Sequence, residues 1–402
     1  MEKFEAKTIC ILGRQPMLGM AELESLYGHG HLRPLDGAAL LDIPAEKINF
    51  KRLGGTIKTA RILDSIDSSD WNSLAKYLVD RVPDYVRSLP EGKFTLGLSV
   101  YGIDVSVKRI EATLLELKKL VRQSGRPVRI VPNKEPALNS AQVLHNKLTH
   151  KGAWELMFVK AGGKTYLAQT LFVQDIEGYA ARDQARPARD SRVGMLPPKL
   201  AQIILNLAVG QADESVEDKT KIRVLDPFCG TGVILQEALL AGYSVIGTDV
   251  DERMVSYTKK NLTWLFDNQA SLEGAVVVEL GDATDFQWPG FSTIASEVFL
   301  GRPLNSLPDQ TKLKEIIGDV NLITKKFLKN LAAQLKPGRI ICLAVPAWRA
   351  PGGQLINLPL IDQLTDMGYN YSDFKHIRRD QLVYFREDQV VARQLLRLER
   401  RG

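Results

Sequence analysis

The residues of this chain whose types and spacing could do chemistry gather around one glycine turn. The run Arg223-Val-Leu-Asp-Pro-Phe-Cys-Gly-Thr-Gly-Val233 is apolar up to Asp226, turns through Gly230 and Gly232, and continues as the apolar segment 234–240. A buried strand, a tight turn and the start of a helix account for this pattern. Because glycine has no Cβ, a ligand can lie against the backbone at the end of the strand. The turn is therefore predicted to bind a cofactor.

Two common phosphate-binding patterns do not fit this turn. A phosphate loop needs Gly-Lys-Ser/Thr, and a dinucleotide fingerprint needs a third glycine where this chain has Leu235. The acidic residue before the glycines, Asp226, instead suits a cationic ligand with a free amino group. A glycine turn in some other doubly wound protein is the alternative interpretation.

Residues 226–232, Asp-Pro-Phe-Cys-Gly-Thr-Gly, resemble the first motif of class I S-adenosylmethionine-dependent methyltransferases, in the form found in RNA guanosine N2-methyltransferases. The upstream segment 192–200 resembles an element that precedes this motif in tRNA guanosine N2-methyltransferases. The resemblance implies that S-adenosyl-L-methionine is the cofactor and that its methionine part meets both segments. The implied contacts are Asp226, Pro227, Phe228, Cys229, Gly230, Thr231, Gly232, Leu196 and Pro197.

Two more acidic residues follow the next two predicted strands. Asp249, with Val250 after it, ends a strand about 20 residues beyond the turn, where a carboxylate can accept hydrogen bonds from both ribose hydroxyls. The resemblance implies that Asp282, with Ala283 as its backbone neighbour, receives the adenine amino group. Asp251 is predicted to cap the following helix instead. The 5 histidines and 3 cysteines show no metal-ligand spacing, so no metal is expected.

The expected catalytic motif is altered in this chain. Methyltransferases of exocyclic base nitrogens carry Asp/Asn-Pro-Pro-Tyr/Phe after the fourth strand, because the delocalised amino lone pair needs its hydrogens held while an aromatic ring stacks on the base. Here the matching positions read Ser296-Glu297-Val-Phe299. Either Glu297 accepts from the amino group and Phe299 stacks on the base, with Ser296 at the Asp position, or the site has lost activity.

The elements that must position these residues suggest several domains. Residues 1–92 are predicted as a small α/β domain, 93–173 as an α+β domain, 174–191 as a linker without regular structure, and 192–402 as alternating strands and helices. Such alternation builds a mostly parallel sheet, and the resemblance implies a Rossmann-like class I methyltransferase domain of seven strands. A helix is predicted at 358–367, followed by final strands at 374–377 and 382–385.

Basic charge is concentrated in the middle of the chain. Residues 101–190 hold 15 Lys and Arg against 9 Asp and Glu, which accounts for the whole net charge of +6. Such a segment suits binding to a polyanion. The order of elements in 93–173 resembles a THUMP domain, an RNA-binding module, and the resemblance implies phosphate contacts by Arg122, Arg126, Arg129, Lys134 and Lys147. The basic end, 393–401, either touches RNA or is solvated surface.

The chain thus resembles tRNA guanosine N2-methyltransferases acting on position 10, and the resemblance implies methyl transfer to the exocyclic N2 of a guanosine. The alternatives are a methyltransferase for ribosomal RNA or DNA bases and a non-catalytic RNA-binding protein. The partner is expected to be tRNA, and some family members also need a small activator protein. No segment approaches the roughly 18 apolar residues of a membrane span, and no signal peptide is recognised, so a cytoplasmic location is expected.

Overall fold

The computed structural model describes residues 4–87, 89, 91–190, 196–213 and 216–402. The helices are α1 (Pro16–Tyr27), α2 (Trp71–Arg87), α3 (Val107–Gln123), α4 (Ser140–His145), α5 (Ile176–Gln184), α6 (Pro198–Val209), α7 (Val233–Leu240), α8 (Glu252–Asn268) and α9 (Gln310–Ala332). The strands are β1 (Thr8–Leu12), β2 (Leu32–Leu35), β3 (Ala38–Leu41), β4 (Thr56–Ile66), β5 (Phe94–Tyr101), β6 (Val128–Ile130), β7 (Ala153–Ala161), β8 (Lys164–Val173), β9 (Arg223–Asp226), β10 (Ser244–Asp249), β11 (Val276–Leu280), β12 (Thr293–Glu297), β13 (Ile340–Arg349), β14 (Leu355–Ile356), β15 (Tyr369–Tyr371), β16 (Val383–Tyr384) and β17 (Val391–Arg400).

These elements form two compact units, and neither is continuous in the sequence. The first unit comprises residues 1–14, 30–51 and 56–176. The second comprises residues 15–29, 52–55 and 177–402, so that α1 and a short segment around Gly54 belong with the C-terminal half of the chain.

The first unit is built on one eight-stranded sheet in the order β2-β3-β1-β4-β8-β7-β5-β6. Strand β5 runs parallel to β6 and β7, and the other pairs are antiparallel. The amphipathic helices α2 and α3 bury one face each, and Leu78 and Leu114 pack with Phe94 and Phe158 of the sheet. The boundary expected at residue 92 falls between strands of this single sheet, because β4 pairs with β8 over a long sequence separation.

A buried ion pair lies inside this sheet. The Lys58 ammonium contacts the Glu155 carboxylate and donates to the Leu138 carbonyl (2.6 Å), and neither side chain is more than 1% exposed. Ser99 and Thr170 hydroxyls donate to the two Glu155 oxygens at 2.6 and 2.7 Å. Every partner of the carboxylate is thus a donor, which offsets part of the cost of burying the charge.

The second unit contains the predicted mostly parallel sheet. Its main path is β11-β10-β9-β12-β13-β17-β15, in which the first five strands are parallel, β17 runs antiparallel to them, and β15 pairs antiparallel with β17 and so runs in the direction of the first five. The short strands β14 and β16 pair with β13 and β17. A core of aliphatic and aromatic residues, including Leu225, Phe327 and Leu343, joins α9 to one face of the sheet.

The C-terminal elements differ from the sequence prediction. The expected helix at 358–367 is a short 3-10 helix, Pro359–Gln363, and its Ile361 N–H bonds the carbonyl three residues back. The strand expected at 382–385 is confirmed as the two-residue β16, whereas no strand forms at 374–377. Strand β15 and the ten-residue β17 were not predicted. The predicted linker contains α5. None of the helices among the described residues is long and apolar enough to span a membrane.

Candidate functional site

The glycine turn joins β9 to α7 in a conformation that only glycine adopts easily. Gly230 and Gly232 have φ of 53° and 83°, and a Cβ on Gly232 would lie 2.9 Å from a Thr258 methyl carbon of α8. The Thr258 hydroxyl donates to the Gly230 carbonyl (2.7 Å). Contacts with Thr258 of α8 therefore hold the turn in place. The backbone of the turn is near the surface at Gly230 and Phe228, which are partly exposed.

Asp226 is buried at the carboxyl end of β9. Its Oδ1 accepts hydrogen bonds from the Ser296 hydroxyl (2.6 Å) and the Phe228 N–H (3.3 Å), and it is 2% exposed. Burial raises the pKa of this carboxyl to about 7, against the opposing effect of the Ser296 bond, and the negative charges of Asp249 and Glu297 add to the rise. Asp226 thus changes charge near neutral pH.

Asp249 ties the end of β10 to the turn. Its Oδ2 accepts from the Gly230 N–H (2.9 Å) and its Oδ1 from the Asp251 N–H (3.0 Å), while partial burial raises its pKa. The prediction for Asp251 is confirmed, because its side chain accepts from the Arg253 N–H (2.9 Å) at the start of α8. A carboxylate therefore stands at the end of β10 with its orientation set by two backbone donors.

The predicted adenine residues lie beside Asp249. The Gly281 N–H donates to the Asp249 carbonyl (3.0 Å), which brings the turn after β11 next to the end of β10. Val250 is 71% exposed, an apolar side chain facing solvent beside two carboxylates. Asp282 is exposed and accepts from the Thr284 N–H (2.9 Å), and the Ala283 carbonyl accepts from Asn330 of α9 (3.1 Å).

The altered motif occupies the end of β12. Ser296 is buried and bonded to Asp226, so its hydroxyl faces the end of β9. The Glu297 carboxylate is 14% exposed and forms an ion pair with Arg393 of β17, at 2.8 Å between Oε1 and Nε. Phe299, by contrast, is 41% exposed. The three predicted residues thus have three different settings: a buried hydroxyl, a paired carboxylate and an exposed ring.

Arg393 corrects the interpretation of the basic end of the chain as RNA contact or solvated surface. Its side chain is 6% exposed, lies within a strand of the sheet and also donates to the Gln389 amide oxygen (3.2 Å). Sequence reasoning missed it because its partner on β12 is 96 residues away. The one available signal in the sequence was the run of apolar residues in β17, and Arg393 and Gln394 interrupt this run.

The predicted linker also reaches the turn. Arg182 of α5 pairs with the buried Glu237 of α7 (2.8 Å), and Arg186 donates to the Thr231 hydroxyl (3.2 Å) between the two glycines. Asn261 of α8 holds the same segment, since its amide donates to the Ala188 and Thr231 carbonyls at 2.9 and 2.8 Å. None of these residues was predicted for the site, and both arginines lie in the segment that was predicted to be a linker.

The remaining residues of the predicted cofactor site are less exposed than the motif suggests. Pro227, Cys229, Thr231 and Gly232 are buried, and burial raises the pKa of the Cys229 thiol well above its usual value. Leu196 is buried and Pro197 is the residue before α6, which packs against α7. Residues 192–195 of the same predicted element lie outside the described residues.

The predicted phosphate contacts lie in the first unit. Arg122, Arg129, Lys134 and Lys147 are exposed. Arg126 differs, because its guanidinium donates to the carbonyls of Val86, Leu89 and Gly92 at 2.8, 3.2 and 3.1 Å. Its charge therefore stabilises the backbone after α2. An open depression of about 470 Å³ on α3 is lined by Leu115, Lys118, Lys119, Arg122 and Gln123.

The arrangement in the second unit fits S-adenosylmethionine on structural grounds. The Gly230 backbone is accessible, the Asp249 carboxylate is partly exposed, and Val250 offers an exposed apolar side chain next to Asp249 in the sequence. A nucleoside needs such a set: a carboxylate for hydroxyls, an apolar face for the base and a polar group for its edge. Among the described residues, no group of three or more His, Cys, Asp or Glu is placed to hold a metal ion.

Comparison with known proteins agrees with this site. The chain is 30% identical over 168 residues to the tRNA (guanine(10)-N2)-dimethyltransferase of Methanothermobacter thermautotrophicus, which is 41% of this chain and 43% of that protein. It is 39% identical over 98 residues to the protein of the same name from Methanocaldococcus jannaschii, or 24% of this chain and 25% of that one. The matched stretches thus span less than half of these relatives.

The fold is shared with solved methyltransferase structures. The crystal structure of TrmN from Thermus thermophilus aligns with 98% of this chain and 100% of its own, at a TM-score of 0.51 and 19% identity. At that identity the likeness establishes the fold alone. Residues 186–345 also match the family UPF0020: RMKL-like, methyltransferase domain, and this segment contains the turn, Asp249, Asp282 and the altered motif. About two fifths of the chain is thus similar to an RMKL-like methyltransferase domain.

Proposed function

We propose that this protein transfers a methyl group from S-adenosylmethionine to the exocyclic N2 of a guanosine in tRNA. The observation that supports the proposal most strongly is the glycine turn between β9 and α7, held by Asp249 in a segment that matches a methyltransferase family. The choice of tRNA and of guanine N2 rests on the names of the two relatives.

In this proposal the cofactor lies across the carboxyl ends of β9, β10 and β11. Asp249 binds the ribose hydroxyls, Val250 and Ala283 border the adenine, and Asp282 accepts from the adenine amino group. The methionine part lies against the Gly230 backbone. The carboxylate of Asp226, at the buried end of β9, attracts the ammonium group of this methionine part. The bound cofactor supplies an activated methyl group, and the protein contributes position and charge.

Glu297 is the proposed acceptor for the guanine amino group. Arg393 holds Oε1, so this oxygen is fixed and Oε2 is the atom left for substrate among the described contacts. A carboxylate in this place can hold the N2 hydrogens while the nitrogen attacks, and Phe299 can stack on the base, since 41% of it is exposed. Arg393 acts through Glu297 and is a positioning residue.

Residues 93–173, which lie in the first unit, are the proposed RNA-binding part, as their resemblance to a THUMP domain implies. Lys118, which is partly exposed, shares one face of α3 with the exposed Lys119 and Arg122, and the three offer phosphates positive charges within one depression. Arg126 is not included, because backbone carbonyls already occupy its guanidinium. A cytoplasmic location and a requirement for an activator protein stay predictions.

The test is methyl transfer from labelled S-adenosylmethionine to unmodified tRNA, followed by nucleoside analysis. The wild type is expected to make N2-methylated guanosine, and Glu297→Gln to lose about 100-fold or more in kcat, because the amide no longer supplies a negative acceptor. Glu315→Gln, an exposed change on α9, is the matched control and is expected to retain full activity.

A second candidate is a cofactor- and RNA-binding protein without transferase activity. It is favoured by the pairing of Glu297 with Arg393 and of Ser296 with Asp226, which occupies both polar residues of the altered motif. Cofactor binding without transfer to tRNA, ribosomal RNA or DNA would support this candidate and contradict the proposed activity. Methyl transfer to ribosomal RNA alone would instead show that ribosomal RNA, and not tRNA, is the substrate.

A further inference from the structure

Arg186 is buried beside the glycine turn with part of its guanidinium unsatisfied. The residue is 3% exposed, and its one hydrogen bond in the described structure joins Nη1 to the Thr231 hydroxyl at 3.2 Å. Its Nε and Nη2 are both buried and have no hydrogen-bond partner there. Burying a charged group without partners costs several kcal/mol, so a position of this kind is normally filled by a ligand or a counterion.

The acidic residues near Arg186 leave this charge incompletely matched. Glu237 is the buried one: its Oε1 is paired with Arg182 at 2.8 Å, whereas its Oε2 has no hydrogen-bond partner and Glu237 acts on Arg186 through its charge alone. Asp183 also acts on Arg186 through its charge, but Arg189 adds a repulsive positive charge. No carboxylate among the described residues forms an ion pair with Arg186. The guanidinium is therefore a cation held by the fold with free donors.

The backbone around Arg186 fixes its position against the turn. Asn261 of α8 accepts from the Ala188 N–H (2.9 Å) and donates to the carbonyls of Ala188 and Thr231, so the arginine's segment and the turn are bound to one side chain. Thr231 in turn lies between the two glycines whose backbone meets the ligand. The guanidinium is thus held against the residue between the two glycines.

We propose that Arg186 is the binding residue for the carboxylate of the cofactor's methionine part. Nε and Nη2 of a guanidinium point the same way and match the two oxygens of a carboxylate, which makes a bidentate pair the natural partner. The arrangement separates the two charges of the amino acid: Asp226 faces the ammonium group and Arg186 the carboxylate. This inference rests on the proposed function, because it assumes that S-adenosylmethionine is the cofactor.

The experiment compares two ligands that differ only in the carboxylate. Binding of S-adenosylhomocysteine and of S-adenosyl-3-thiopropylamine, its decarboxylated form, is measured by calorimetry for the wild type, Arg186→Met and Arg186→Lys. The wild type is expected to prefer S-adenosylhomocysteine by at least tenfold. Arg186→Met is expected to weaken S-adenosylhomocysteine by about 10- to 100-fold and the decarboxylated ligand less than twofold. Arg186→Lys is expected to lie between them.

Arg189→Met is the matched control, because this exposed arginine lies three residues farther along the same segment. Equal weakening of both ligands in Arg186→Met, or a wild type that does not distinguish them, would overturn the assignment while leaving the methyltransferase proposal intact. A wild type that binds neither ligand would contradict the proposed function itself. If Arg186→Met does not fold, the preference of the wild type and of Arg186→Lys decides the question.

Discussion

At the scale of single residues, the site is unusual in the number of charges it keeps out of water. Asp226 is 2% exposed, yet it bonds only hydroxyl and backbone donors, and no cation forms an ion pair with it in the described part of the chain. Burial of a carboxylate without a cation favours its protonated form. A cationic ligand reverses this preference, so ligand binding and ionisation of Asp226 are coupled.

This coupling predicts that cofactor affinity depends on pH. Asp226 has a pKa of about 7 in the free protein, so it is mostly protonated at pH 5.5 and mostly ionised at pH 7.5. The ligand ammonium is attracted to the ionised form, and affinity for S-adenosylhomocysteine should rise roughly twentyfold over this range. Calorimetry at both pH values measures it.

Asp226→Asn is the control for this assignment. It should bind weakly and show almost no change between the two pH values, because the titrating group is gone. A pH dependence that persists in this variant would assign the titration to another group, such as Asp249, whose pKa is also raised by burial.

At the scale of elements, the predicted strands and helices agree with the structure where the local sequence pattern determines them. They differ where contacts between residues distant in the sequence determine them. Strand β9, the turn and α7 follow from apolar periodicity and two glycines, and their ends fall where predicted. Strand β17 was missed because Arg393 and Gln394 interrupt its apolar pattern, and only the neighbouring β13 and the Glu297 partner make these polar residues compatible with burial. Such partners cannot be read from a local window.

A second element-scale feature is a buried carboxylate that joins α1 to α6. Glu22 of α1 is 0% exposed and accepts from the N–H groups of Gly54 and Gly55 at 2.9 and 2.8 Å and from Asn206 of α6 at 2.7 Å. Both glycines are needed sterically, because a Cβ on Gly54 would lie 2.2 Å from the Lys199 carbonyl oxygen. All the groups that face Glu22 in these contacts are donors.

This geometry predicts that Glu22→Gln is strongly destabilising although the two side chains have nearly the same shape. The new amide NH2 must face at least one N–H donor, which leaves a buried donor unsatisfied and should cost about 2 kcal/mol. Urea unfolding followed by circular dichroism measures the change in the free energy of unfolding. Glu273→Gln, at an exposed position, should change it by less than about 0.5 kcal/mol.

At the scale of the whole molecule, the order of segments in the sequence does not match the order of folding units. The motif-based boundary at residue 192 separates the glycine turn from Arg186, which contacts Thr231, and α7 from Arg182, which pairs with Glu237. It also separates α6 from α1, which packs on it. Sequence motifs mark only where a ligand is expected to bind. The supporting residues are set by burial and by contacts distant in the sequence, such as the bond between Glu22 and Asn206.

The last prediction follows from this discontinuity: residues 192–402 alone will not form a stable methyltransferase domain. Leu18, Leu23 and Leu26 of α1 are buried, so removing α1 exposes the apolar surface against which they pack. The burial of each such side chain stabilises the folded protein by about 1.5–3 kcal/mol. It also removes the carboxylate that accepts from Asn206, and the loss of Arg182 leaves the Glu237 charge buried without its ion pair. Together these losses are comparable with the 5–15 kcal/mol that stabilises a typical domain.

The measurement compares thermal unfolding and S-adenosylhomocysteine binding of the full chain with those of fragments 192–402 and 177–402. The shorter fragment should show no cooperative transition and bind an apolar dye. Fragment 177–402, which regains both arginines but not α1, should gain helical signal without recovering ligand affinity. Addition of a synthetic peptide of residues 15–29 should then raise its stability, because α1 supplies the missing apolar face and Glu22. A cooperative, ligand-binding fragment 192–402 would show instead that the motif-based boundary is also the physical one.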